Sequence, residues 1–436
     1  MPRVCIDGFN LGMPKGSGIA TYARNLLGGL NQLGCETQIL FASARDAASD
    51  DLTNLIDLVD APPSEVRGKA LSIVRRVIPR RKPVAWRVAR SPQVLTREVE
   101  TRFPPADIWW AARDIFHSAN RAHAVLGRFT PLELGDTPST DLMHWTCPLP
   151  LFEPRIPNVY TIHDLVPLRL PYATLENKRA FLDLCRQITS RAARILTVSE
   201  QSKQDIVRLL GIAEDRVVNT YQSVDLPPAL TEDPEEEVAE RLSSALNLDW
   251  RKYYLFYGAL EPKKNISRII EAYLTSGVSS PLVIVGGHAW LNAGLKNLLK
   301  PDVIQRQVLR DGVLVHADRV REYDFLPLAL LVDLVRGARA TLFPSLYEGF
   351  GLPVLESMVL GTPVLTSDDG ALAEVVGDAA LRVDPYDARA IRRGIQALDS
   401  DEGLRTDLIT RGRHRAKMFS HAAYVERLRQ AYEGLV

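Results

Sequence analysis

Residues 343–367 read Phe343-Pro-Ser-Leu-Tyr-Glu348-Gly-Phe-Gly351-Leu-Pro353-Val-Leu-Glu356-Ser-Met-Val-Leu-Gly361-Thr-Pro-Val-Leu-Thr-Ser367. The apolar run Ala340 to Phe343 leads into this stretch with the composition and length of a buried strand. Gly349 and Gly351 then supply a turn. Pro353 is expected as the first helical residue, where its missing amide hydrogen costs nothing. Two carboxylates, Glu348 and Glu356, therefore flank one strand-to-helix crevice. In an open α/β sheet, ligands bind in the crevice at the carboxyl ends of the strands, and the unpaired amides of a helix start attract phosphate. An acidic loop leading into an amphipathic helix also occurs as an ordinary solvated turn, so the surrounding sequence has to decide.

Upstream of this stretch, strand-like and helix-like segments alternate: Tyr253 to Tyr257, a helix from Ile266 to Leu274, Leu282 to Val285, a helix from Leu291 to Leu299, Val313 to His316, and a helix from Phe325 to Arg336. The amino-terminal part has the same rhythm. Val4 to Ile6, a Gly-rich turn, a helix from Ala20 to Leu33 and Thr37 to Phe41 come first. Leu142 to His144, Val159 to Ile162, a helix from Ala173 to Arg194, Ile195 to Val198, a helix begun by Ser199, and Val217 to Tyr221 follow. Such alternation builds parallel sheets flanked by helices. Residues 43–140 are less regular and are read as an insertion in the first domain. Asp225 to Asp249, with Pro227, Pro228 and the acidic run Glu232 to Glu237, reads as a solvated boundary. The expected domains are 1–226 and 250–415, followed by a terminal helical segment, 416–436.

A chain of 436 residues is long for one domain and suits two. Its 53 basic and 53 acidic residues balance, which speaks against a nucleic-acid partner. Cys5, Cys35, Cys147 and Cys185 are scattered without metal or redox spacing, so a reducing cytoplasm is the expected setting. No signal-like core follows Met1, and no run reaches the roughly 20 apolar residues needed to span a bilayer. The segment 67–102 departs from neutrality. Its arginines, among them Arg75, Arg76, Arg80, Arg81, Arg87 and Arg90, alternate with apolar residues such as Ile73, Val77 and Trp86. That pattern suits peripheral contact with the anionic inner face of the plasma membrane, or equally a solvated helix face. Pro79 and Pro83 interrupt any single long helix.

The quoted stretch resembles the signature of retaining glycosyltransferases of family 4, in which two glutamates eight positions apart lie in a Glu-Gly-Phe-Gly-Leu-Pro context. The resemblance extends over nearly the whole chain and is weakest between residues 43 and 140. It implies the two-domain GT-B fold, with two Rossmann-like doubly wound domains facing a cleft and a last helix, Ser420 to Leu435, crossing back to the first domain. It also implies a metal-independent transferase without a bound cofactor, acting on a nucleotide sugar. Bacterial enzymes that build surface polysaccharide or lipopolysaccharide O-chains look most similar. They suggest GDP-mannose as donor and a lipid-linked or growing glycan as acceptor.

Carried residue by residue, the resemblance makes Lys264 in Gly258-Ala-Leu-Glu-Pro-Lys263-Lys264-Asn265 the diphosphate lysine. Many relatives place an arginine after the glycine where this chain has Ala259, so Lys263 is the candidate second cation. Glu348 should hold sugar hydroxyls with the Phe350 and Gly351 amides, the Leu352 amide should approach phosphate, and Glu356 should bind ribose. An ionised carboxylate suits paired hydroxyls, and a negative charge near a helix start is favoured. Gly370 and Gly18 should let backbone approach the donor. His163, at a strand end, is expected to hold a sugar hydroxyl and stabilise developing charge, with Asp164 and His144 on the acceptor wall. Two other readings stay open: a nucleotide-sugar 2-epimerase, needing no acceptor, and a binding subunit that kept the fold without catalysis.

Overall fold

Nine strands of the first half form one sheet: β1 (Arg3–Asp7), β2 (Glu36–Ser43), β3 (Val84–Val88), β4 (Ile108–Arg113), β5 (Glu133–Leu134), β6 (Leu142–Trp145), β7 (Asn158–Thr161), β8 (Arg194–Thr197) and β9 (Val217–Asn219). Their order is β9-β8-β7-β6-β1-β2-β4-β3-β5, with every neighbour from β9 to β4 parallel and β3 antiparallel to β4. The computed structural model describes residues 1–11, 18–60, 83–94, 102–135, 139–287, 298, 305–310 and 313–435. The second half holds β10 (Tyr254–Tyr257), β11 (Leu282–Val285), β12 (Val320–Tyr323), β13 (Ala340–Phe343), β14 (Val364–Ser367) and β15 (Leu381–Val383). These six are all parallel, in the order β12-β11-β10-β13-β14-β15.

In each sheet the strand order turns back at the first strand of its half, between β1 and β6 in the first sheet and between β10 and β13 in the second. A doubly wound sheet opens a crevice at such a reversal, because the connections on its two sides go to opposite faces. In β10, β11, β13 and β14 every residue is buried. Continuous apolar strands are what a parallel sheet covered on both faces requires.

Six helices matter for the site: α1 (Gly18–Gln32), α2 (Glu200–Leu210), α3 (Glu235–Leu246), α4 (Leu352–Val359), α5 (Gly370–Val376) and α6 (His421–Tyr432). Ser199 caps α2 by accepting from the Ser202 amide, as a serine just ahead of a helix does. Helix α6 crosses back onto the first half. Its Leu428 and Tyr424 lie so close to Gly29 of α1 that an added Cβ there would sit 3.2 and 3.4 Å from them.

Several sequence expectations change. Among the described residues of 43–140, Trp109 and Trp110 are buried in β4, which pairs with β2, so this part of the stretch belongs to the first sheet. The acidic boundary keeps its glutamates exposed but is helical. Glu235, Glu236 and Glu237 form the first turn of α3, where the helix dipole favours them, and Val238 and Leu242 are buried in the second half. Arg241 fixes this helix through Asp333 at 2.8 Å and Asp233 at 2.7 Å. The expected sheet strand Val313 to His316 lies instead in an antiparallel hairpin of 305–310 with 313–318, and the sheet edge is β12. The long helix from Ala173 shortens to Lys178–Arg191, because Asn177 caps it through the Arg179 and Ala180 amides. Arg87 lies in strand β3 and Arg90 packs over the Trp109 ring at 5.6 Å. The rest of the basic segment, apart from residues 83–94 and Arg102, lies outside the described residues. So does the helix expected at 291–299, apart from residue 298.

Candidate active site

The loops that follow β10 and β13 meet at the reversal of the second sheet. After β10, Pro262–Lys264 makes one 3-10 turn and Asn265 takes up a left-handed conformation with φ 63°. Asn265 is 4% exposed, and its amide donates to the Pro344 carbonyl at 3.0 Å and the Pro385 carbonyl at 2.7 Å. One side chain thereby joins the ends of three strands. The Leu346 amide donates to the Lys263 carbonyl at 2.7 Å, which presses the glutamate loop onto the lysine turn.

As a result, Lys264 Nζ lies 2.5 Å from Glu348 Oε1 and Lys263 Nζ lies 3.8 Å from Glu348 Oε2. The Lys264 ammonium also sits 4.7 Å over the Phe343 ring. Glu348 is 7% exposed. Burial alone would raise its pKa, but the charges of Lys264 and Lys263, with the hydrogen bond from Lys264, outweigh burial and hold it below its ordinary value. Lys263 shows the converse balance. Burial would lower its pKa, and the surrounding carboxylates of Glu348, Asp164, Glu261 and Glu176 raise it instead. The site is an ionised carboxylate between two ammonium groups.

Gly351 precedes α4 with φ 101°, and a Cβ there would come within 2.4 Å of Leu372 Cδ2. Both facts reserve the position for glycine. Leu352 rather than Pro353 begins the helix, so the proline takes the second position, where a missing amide hydrogen is equally harmless. Glu356, in the second turn of α4, has its pKa raised by burial, eased by the Tyr257 hydroxyl. Tyr257 itself donates to the Pro353 carbonyl at 2.7 Å. Phe350 is 2% exposed and its ring packs 5.5 Å from Phe419, beside Tyr221 of the first half. Its side chain is therefore part of an interdomain aromatic cluster, and only its main chain is available to a ligand.

The first half presents its own strand ends to this loop. A Cβ on Gly349 would meet the His163 carbonyl at 2.8 Å and Asp164 Cβ at 3.0 Å. His163 donates from Nε2 to the Thr146 carbonyl at 2.9 Å, and its ring meets Tyr22 edge-on at 4.7 Å. Burial lowers its pKa, partly opposed by the Thr146 carbonyl and Asp164. The ring is thus neutral with Nδ1 as an acceptor, which suits a sugar hydroxyl. Asp164 accepts from the Val166 amide at 3.0 Å, and its negative charge helps to raise the pKa of Lys263. Gly18 faces Leu352 across the cleft, at 3.7 Å from its Cδ1 to an ideal Cβ. Gly258 has φ 128°, and Gly370 has φ 66° beside Gln201 of α2.

His144 does not fit its expected role. It is fully buried, with Nδ1 2.5 Å from the Tyr432 hydroxyl and Nε2 2.7 Å from Thr161 Oγ1. Burial, together with His163, pushes its pKa down to about 3. A neutral ring with both nitrogens engaged inside the sheet pins α6 to the first half and touches no acceptor. Sequence reasoning also missed the contacts that α2 makes with the glutamate loop. The Tyr347 hydroxyl donates to Asp205, which is 2% exposed, and Glu374 caps the start of α2. Nothing local in the sequence marks Asp205 or its partner 142 positions away.

Comparison with known proteins adds an independent line. Residues 16–226 match a family model described as Glycosyltransferase Family 4, and residues 239–415 match one described as Glycosyl transferases group 1. The O-antigen chain mannosyltransferase B of Escherichia coli is 33% identical over 267 residues, which cover 60% of this chain and 66% of that protein. The serotype-specific mannosyltransferase WbdA of Escherichia coli is 28% identical over 272 residues, covering 61% of this chain and 32% of that protein. The chain therefore spans between about a third and about two thirds of the length of these curated relatives. Among solved structures, Anabaena HepE in complex with UDP-glucose aligns over 100% of both chains with a TM-score of 0.62 at 14% identity. The architecture is GT-B.

Proposed function

This chain belongs to the glycosyltransferase family of those two models, and we propose that it is a retaining, metal-independent hexosyltransferase. It moves mannose from GDP-mannose to a lipid-linked or growing glycan during surface-polysaccharide synthesis. The observation that carries this reading is the convergence of Lys263, Lys264 and Glu348 at the β10/β13 reversal, facing His163 and Asp164 of the first half.

The chemistry follows from charge. Breaking the bond to a nucleoside diphosphate leaves negative charge on the phosphates and positive character on the sugar ring, and preorganised groups lower that barrier. Lys264 has three N–H donors, so it can keep Glu348 and still offer hydrogens to phosphate oxygens. Glu348, held ionised, accepts from sugar hydroxyls. His163 accepts a further hydroxyl at Nδ1, and Glu356 meets the ribose from α4. The main chain of Phe350, Gly351, Leu352 and Gly370 lines the route of the diphosphate, with Gly18 and Gly258 leaving room on either side. The departing phosphate itself takes the acceptor's proton.

The choice of mannose is supported by the two mannosyltransferase relatives, and a nucleotide-sugar donor by the UDP-glucose complex of the HepE neighbour. Among the described residues no helix is long and apolar enough to cross a membrane. A lipid-linked acceptor would then be met at the cytoplasmic surface of the inner membrane. The deciding experiment incubates the protein with GDP-mannose, with and without a mannose-terminated glycan, in the presence of EDTA. Glycan extension with retained anomeric configuration is expected. A C2-epimerised sugar formed without acceptor would replace this reading with the epimerase one, and no conversion of any nucleotide sugar would favour a binding subunit.

A further inference from the structure

Helix α2 belongs to the first half, yet the second half grips it at three successive places. At its start, the Glu200 and Gln201 amides donate to Glu374 Oε1 at 2.8 Å and Oε2 at 3.0 Å. At the next residue, the buried Ser202 hydroxyl donates to the Gly349 carbonyl at 3.3 Å. Near its middle, Asp205 accepts from the Tyr347 hydroxyl. Tyr347 and Gly349 are the two chain neighbours of Glu348, so both sides of the key carboxylate are tied to the opposing domain.

We propose that Tyr347 and Asp205 form an interdomain latch that sets the position of Glu348, so that the carboxylate reaches its working place only when the halves close. The inference rests on the transferase reading for its kinetic consequence, but not for its structural one. Three features suit a contact that makes and breaks. Asp205 has a cation in its own half, since Arg169 Nε lies 3.5 Å from its Oδ2. Opening therefore leaves the buried carboxylate compensated, and the freed tyrosine hydroxyl passes to water at little cost. The Arg169 guanidinium also lies 5.7 Å over the Tyr347 ring, so one arginine steadies both partners. Around them, Leu346 and Tyr347 pack on Val166, Leu170 and Ala173, a small apolar contact separate from either domain core. Tyr347 and Asp205 are positioning residues in this scheme, because they act through Glu348 and touch neither donor nor acceptor.

Tyr347→Phe and Asp205→Leu break the latch, whereas Asp205→Asn keeps an acceptor for the hydroxyl. Melting curves select folded variants. Two readouts then apply: the ratio of donor hydrolysis to glycan transfer with GDP-mannose, and the distance distribution between spin labels placed on the outer faces of the two halves. A loosened cleft admits water, so both breaking variants should lose about tenfold in transfer kcat with a higher hydrolysis ratio, while Asp205→Asn stays near wild type. Combining Tyr347→Phe with Asp205→Leu should be no worse than either alone. The label distances should broaden in both breaking variants. Unchanged distances in folded Tyr347→Phe would overturn the latch whatever the enzyme does. Broadened distances in Tyr347→Phe, alongside a wild type that transfers no sugar, would sustain the latch and sink the transferase reading.

Discussion

Lys264 Nζ lies 2.5 Å from Glu348 Oε1 although 84 positions separate the two residues. The proximity follows from topology. Lys264 follows β10 and Glu348 follows β13, and these strands are neighbours because the sheet reverses between them. A buried ion pair of this kind contributes little net stability, since desolvation offsets attraction. Its presence at a strand-end crevice points to chemistry rather than to holding the fold.

Lys264→Ala should therefore leave Glu348 with the more distant Lys263 alone. Breaking one side of a buried pair costs about 3–5 kcal/mol, and the loss of a leaving-group cation should lower transfer by roughly 100-fold or more. The double variant Lys264→Met/Glu348→Leu should melt close to wild type and be inactive. Chemical denaturation beside a transfer assay checks both statements.

Asp7, at the end of β1, has no exposed surface, and burial raises its pKa to about 6 against hydrogen bonds from the Thr146 and Phe9 amides. A raised folded value means that the contribution to stability is complete below the unfolded value of 3.8 and is lost as pH rises through about 6. The loss at neutral pH is on the order of 3 kcal/mol. Unfolding midpoints measured across that window should fall for wild type relative to Asp7→Asn. Parallel curves would show that Asp7 ionises normally.

Tyr432→Phe removes the hydroxyl that engages His144 Nδ1. Leaving that buried nitrogen without its partner should cost about 1–3 kcal/mol. The acceptor KM of the folded variant should not change, because His144 is a strut for α6. A selective rise in acceptor KM would restore the acceptor role that its burial argues against.

Gly351→Ala should be far more damaging than a usual surface change. The backbone at φ 101° and Leu372 Cδ2 at 2.4 Å both oppose a Cβ, so α4 must shift. A loss of about 2 kcal/mol or more is expected, with transfer falling further than stability alone would explain. Thermal melts and kinetics on the same preparation separate the two.

The sequence made local features readable. Alternating strands and helices and the Glu-Gly-Phe-Gly-Leu-Pro turn are each set by residues within a few positions of one another, and so is the Ser199 cap. The strand Leu282–Val285 appears where it was expected. Features that depend on distant partners were not readable. His144 looks like any strand-end histidine until Tyr432, 288 positions away, closes over it. The glutamates of the run 232–237 are exposed as expected, but the helix they begin was not readable, because the packing of Val238 and Leu242 is decided by a helix nearly a hundred residues on. Val313 to His316 has a strand's composition, but its pairing with 305–310 rather than with the sheet is a tertiary choice. The lysine–glutamate crevice was legible through its resemblance to a family. The grip of α2 on the glutamate loop was not, since a hydroxyl and a carboxylate carry no mark of each other.

The most direct measurement is a thermal-shift panel of nucleotide sugars on wild type and Lys264→Ala. At a hundredfold excess over Kd a true donor stabilises the folded state by about 2.7 kcal/mol. One nucleotide sugar, GDP-mannose first among them, should raise the wild-type Tm by several degrees and leave the folded variant unmoved. No shift with any nucleotide sugar, or an equal shift in wild type and Lys264→Ala, would contradict the placement of the donor between the lysines and Glu348.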